Sequence, residues 1–136
     1  MLWVLQSAVT FSRRNTMHAL NWFEIPVVDL ARATSFYEQL LASTLQRTEC
    51  GGERVLLPHQ PGAVGGELTK TDGVSPAAGG VLPYLNANGQ LDVLLERLQT
   101  MGAQIELPKT EISAEIGSIA IFIDSEGNRI GLHSEP

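Results

Sequence analysis

The spacing of apolar positions changes period once between Asn21 and Leu41. Phe23, Ile25 and Val27 alternate with Trp22, Glu24 and Pro26, which is the period of a strand with two distinct faces. Leu30, Ala33, Phe36, Tyr37, Leu40 and Leu41 then recur at three- and four-residue spacing, which is one apolar stripe on a helix. Asp29 stands between the two patterns, where its carboxylate can accept from the free amides of the first helical turn. The pattern predicts a strand over about 19–27 and a helix over about 30–45.

Further on, strands are expected at about 46–50, 53–57 and 64–70, with Gly51-Gly52 as the hairpin turn. Thr71 to Gly80 is rich in Gly, Pro, Ser and Asp and reads as a connection. The order then repeats: a strand at about 81–86, a helix at about 91–101 carrying Leu91, Leu94, Leu95 and Leu98, and strands at 104–107, 118–123 and 129–133. Pro108 is expected to end the first of these, and Glu126-Gly127-Asn128 to turn between the last two. Tyr84, out of phase with Val81 and Pro83, is expected on the helix side as core.

Two stretches carry a family resemblance. Val27, Asp29, Leu30, Arg32, Ala33, Phe36, Tyr37, Leu40 and Leu41 form V-x-D-L-x-R-A-x-x-F-Y-x-x-L-L, and Asp124 to Ser134 reads DSEGNRIGLHS. Together they resemble the vicinal oxygen chelate superfamily, the group of glyoxalases, extradiol dioxygenases, and fosfomycin and bleomycin resistance proteins, in a glyoxalase-like bacterial branch. The resemblance covers about residue 17 to the C-terminus. It implies an α+β fold of two tandem βαβββ modules, about 17–72 and 79–136, forming a cupped mixed sheet barrel with helices outside and a ligand site inside the cup. Fold alone does not name a chemistry.

In the metal-dependent members of this superfamily, the resemblance implies ligands on the first and fourth strands of each module. Seven residues before Asp29 stands Trp22, and the equivalent count from Asn88 reaches Val81. Gly131 holds the place of the final acidic ligand, and Glu67 the place in the first module's fourth strand. Trp, Val and Gly offer no side-chain donor to a cation. The expectation is therefore no metal cofactor, with binding of a small organic molecule in the cup. The alternative is a divalent-metal lyase, isomerase or dioxygenase using a shifted set, Glu24, Glu67 and His133.

Five residues are candidates for ligand binding: Trp22, Glu24, Glu67, Arg129 and His133. Trp22 either offers a flat wall for a planar ligand or fills the cup itself. Glu24 and His133 are the candidates for acid–base work. Against these stand plainer roles, with Glu24 paired to Arg129 and His133 making a single hydrogen bond near the terminus. His18 and His59 are expected at the surface. No nucleophile elbow, phosphate loop, CxxC or HExxH spacing occurs.

Composition bounds the partners. The chain has 136 residues, 43% hydrophobic and 18% charged, the make-up of one globular domain. A net charge of −6 argues against nucleic acid and anionic membrane as partners and is compatible with a cationic ligand. One cysteine, Cys50, fits a reducing cytoplasm. Residues 1–16 are apolar first and carry Arg13-Arg14 afterwards, the reverse of a secretory signal. They are expected to be an extension or an added edge strand, and a homodimer contact is one use for such a strand.

Overall fold

The computed structural model describes residues 17–48 and 52–136. The expectations for residues 1–16 and for Cys50 lie outside these. The chain forms β1 (Trp22–Pro26), α1 (Leu30–Leu41), β2 (Gln46–Arg47), β3 (Glu53–Leu56), β4 (Gly65–Lys70), β5 (Tyr84–Asn86), α2 (Leu91–Thr100), β6 (Gln104–Ser113), β7 (Gly117–Ile123) and β8 (Arg129–Ser134). It is an α+β fold of two βαβββ modules. Each module is one mixed four-stranded sheet, in the orders β1-β4-β3-β2 and β5-β8-β7-β6.

The first module starts as its sequence dictates. Asp29 caps α1 by accepting from the Arg32 amide at 3.0 Å. The apolar stripe buries Leu30, Ala33, Tyr37 and Leu40. The helix stops at Leu41, four residues short of the expected end, because Ala42 adopts a left-handed conformation at φ 51° and turns the chain. Leu45 is nevertheless buried, so the apolar pattern ran past the helix itself.

The two modules share one core. Residues of both helices cluster with Ile25, Val55 and Leu68 of the first sheet and Ala120, Phe122, Ile130 and Leu132 of the second. Phe36 of α1 stacks on Phe122 of β7 with ring centroids 6.1 Å apart. Each such buried side chain contributes on the order of 1.5–3 kcal/mol of transfer free energy. The opposite face of each sheet is turned away from this core. Among the described residues no strand of one sheet pairs with a strand of the other, so these two sheets do not close into a barrel.

Hydrogen bonds join the modules at one corner. The Glu126 carboxylate, in the turn between β7 and β8, accepts from the amides of Val28 and Asp29, each at 2.9 Å, and pairs with Arg32 at 2.7 Å. Beside it the buried Tyr37 hydroxyl donates to Asp124 at 2.6 Å. Asp124 also accepts from the Asn128 amide and side chain, and Asn128 donates to the Pro26 carbonyl at 2.8 Å.

Several expectations are corrected here. β5 begins at Tyr84 and not at residue 81. Pro108 does not end β6, which runs through it to Ser113 as an edge strand with interrupted pairing to β7. Tyr84 is 45% exposed and sits opposite Gly131, so it lies on the open face and not in the core. The module repeat also shifts by one residue. Ala87 donates its amide to the His133 carbonyl as Val27 does to that of Thr69, so the counterpart of Trp22 is Leu82 and not Val81. The N-cap position of the second helix is Gln90, two residues beyond the expected Asn88, and its side chain makes no capping hydrogen bond.

Candidate functional site

The open face of the first sheet carries a shallow cavity of about 680 Å³. Trp22, Arg54, Leu56 and Glu67 line its sheet wall, and Thr48, Lys70 and Thr71 its rim. Strand alternation explains the set. Val55 and Leu68 point into the core, so Arg54, Leu56 and Glu67 must point the other way.

Glu24 and Glu67 are register partners on the adjacent parallel strands β1 and β4. Two carboxylates so placed repel one another unless a cation lies between them. Arg54, one strand over, supplies it. Its Nη1 donates to Glu24 at 2.6 Å and also to Glu67. Its hydrogen bonds to the Glu24 and Glu67 carboxylates raise the guanidinium pKa further above its ordinary value. Glu67 is almost buried, with 8% of its side chain exposed, whereas half of Glu24 is accessible.

Trp22 forms the aromatic end of the cavity. The His59 ring meets it edge-on, centroids 5.4 Å apart, and its Nδ1 donates to the Leu57 carbonyl at 3.0 Å. The same ring lies over Gly65, where a Cβ would collide with it. Sequence reasoning expected His59 at the surface, where it is, without a role in the site, and did not name Arg54. Arg54 had a signal, since it alternates with the core residue Val55. His59 sits in an irregular segment and had none.

The other candidates lie on the second sheet. Arg129 pairs with Glu106 of β6 and not with Glu24, which is held by Arg54. His133 donates Nε2 to the Ile116 carbonyl at 2.6 Å. Tyr84 lies against Gly131, where a Cβ would strike its ring. The structure therefore brings together Trp22, Glu24 and Glu67, whereas Arg129 and His133 lie on β8 of the other sheet, each bonded to a different partner. Glu24 and His133 lie on different sheets, with no hydrogen bond between them. Among the described residues no three His, Cys, Asp or Glu side chains gather closely enough to hold a metal ion.

Comparison with known proteins finds no matching family model and no matching curated protein. Solved structures do match. TnmS3, an antibiotic binding protein from Streptomyces sp. CB03234, is 26% identical, with a TM-score of 0.61 over 88% of this chain and 98% of that one. A glyoxalase/bleomycin resistance protein from the same Streptomyces is 28% identical, with a TM-score of 0.58 over 82% and 96% of the two chains. The chain has the vicinal oxygen chelate fold. A glyoxylase/bleomycin resistance protein/dioxygenase domain from Frankia sp. EAN1pec adds to this at 22% identity and a TM-score of 0.62, covering 89% of this chain and all of that one.

In the vicinal oxygen chelate fold the implied metal positions fall, by the register found here, on Trp22, Glu67, Leu82 and Gly131. Three of these have no donor side chain, and the fourth is already bonded to a guanidinium. This residue set does not fit a divalent ion. No helix among the described residues is long and apolar enough to cross a membrane.

Proposed function

We propose that this protein binds a small organic molecule against the open face of its first sheet, without a metal ion. The observation that carries the reading is the cavity itself. It offers one aromatic wall, Trp22, one apolar side chain, Leu56, and a fixed ionic group made of Arg54 and Glu67. Its volume of about 680 Å³ is in the range of small-molecule sites, roughly 300–1,000 Å³. Such a surface orients a planar ligand by stacking and by a few polar contacts, and needs no reacting group. The name of TnmS3, an antibiotic binding protein, supports sequestration as the mode of action.

A homodimer completes the reading. The cavity is open on one side, and on the second sheet Tyr84 is exposed on the face away from the core. A second copy would lay that sheet over the first and enclose the ligand between chains, so Arg129 and His133 would reach the ligand from the partner.

Trp22 fluorescence tests the reading. Titration with a panel of planar aromatic antibiotics should quench it saturably for at least one class, after chelator treatment as well as before. Trp22→Ala should weaken binding of that compound about 10-fold or more, the range of one lost aromatic contact. Saturable binding of nothing in the panel, together with a monomeric mass in solution, would overturn it.

A further inference from the structure

In the metal-dependent members that this fold resembles, a divalent ion sits in the cup, and this chain places a guanidinium beside the one acidic position that survives. Glu24 and Glu67 stand side by side, and Arg54 bonds to both through one nitrogen. Glu67 is the more buried of the two, and an unneutralised carboxylate there would be costly. We propose that Arg54 is a built-in substitute for the metal ion: it neutralises the Glu24–Glu67 pair and closes the pocket to divalent cations.

The geometry argues for substitution over an incidental surface pair. Arg54 arrives from a third strand, β3, which is not among the strands that supply the family's ligands. Its position opposite Thr69 lets it reach back along β4 to Glu67 and across to Glu24 on β1. One side chain thus serves carboxylates on two strands, as a shared ion would. A covalently held cation cannot be chelated away or exchanged, and it leaves no open coordination position for a substrate oxygen. The pocket is thereby set for a ligand held by stacking and hydrogen bonds. This inference rests on the metal-independent reading of the same pocket.

A charge series on the full chain tests it, with thermal unfolding measured after chelator treatment and with added manganese(II). Wild type should not respond to manganese. Arg54→Ala should melt lower and recover by about 3–6 °C with manganese, because the bared pair now binds the ion and binding to the folded state raises its stability. Glu24→Gln with Arg54→Ala should melt above Arg54→Ala alone and lose the manganese response. If Arg54→Ala does not fold, the neutral triple variant Glu24→Gln, Arg54→Ala, Glu67→Gln should fold, since it again balances charge. A folded Arg54→Ala without a manganese response overturns the inference alone, as does a triple variant that is no more stable than Arg54→Ala. Stoichiometric metal binding by wild type overturns this inference and the metal-free reading of the pocket together. Quenching of Trp22 by organic ligands is scored separately and moves neither result.

Discussion

At Glu126 a single carboxylate answers to both modules. Burial alone would push its pKa up, but the Arg32 guanidinium, the Asp29 and Val28 amides and the Ser125 hydroxyl outweigh burial and bring it down to about 2. Its ordinary value is 4.5, so the folded state holds its charge where the unfolded chain has begun to take up a proton. The stability it supplies is full above about pH 4.5 and is lost as pH falls from there toward 2. Glu126→Gln should flatten this part of an acid-unfolding curve while leaving the neutral-pH fold intact by circular dichroism. Tyr37 behaves in the opposite sense. Burial, and then the charge of Asp124 and the hydrogen bond to it, raise its pKa well above 10. The unfolded chain ionises first, so stability should fall as pH rises past about 10. Tyr37→Phe should cost about 1–3 kcal/mol by urea denaturation, the worth of a buried bond to a carboxylate. Neither partnership was legible in the sequence. Tyr37 announced itself as core through its helical spacing, but its hydroxyl's partner lies 87 positions away.

At the scale of elements, the periodic stretches were readable and their ends were not. β1 and α1 were visible because period two gives way to 3.6 at a capping aspartate. The helix end was not, because Leu45 extends the apolar pattern while the backbone has already turned at Ala42. Left-handed geometry is strained for any residue with a Cβ. Ala42→Gly should therefore stabilise the protein by about 0.5–1 kcal/mol, seen as a higher urea midpoint at unchanged slope. β6 shows the other failure. Pro108 is tolerated in mid-strand because β6 is an edge, and edges are set by topology that a local pattern does not contain. The register of the second module slipped by one residue for a related reason. Only three residues of β5 are paired, so little in the sequence fixes where it begins.

At the scale of the whole molecule, the duplicated βαβββ plan was legible and the arrangement of its halves was not. Tandem order says which strands exist, whereas the separation of the two sheets depends on the shared core and on the corner around Glu126. This also explains the divided candidate residues. Glu24 and Glu67 stand together because β1 and β4 are neighbours, while Arg129 and His133 stand on the other sheet. A homodimer should appear as twice the chain mass of 14.7 kDa by sedimentation at micromolar concentration. Tyr84→Glu, which places a charge on the uncovered second sheet, should shift it toward monomer.

The corner around Glu126 has a further consequence. The contacts that hold the halves together run through side chains and a common core, and none requires the connecting segment to be continuous. Residues 79 and 80 are exposed glycines in that segment. Two separately produced fragments, cut between them, should find one another and rebuild the fold. Their reassembly should restore the near-ultraviolet circular dichroism of the buried aromatic residues and should weaken sharply when Glu126 is replaced by lysine.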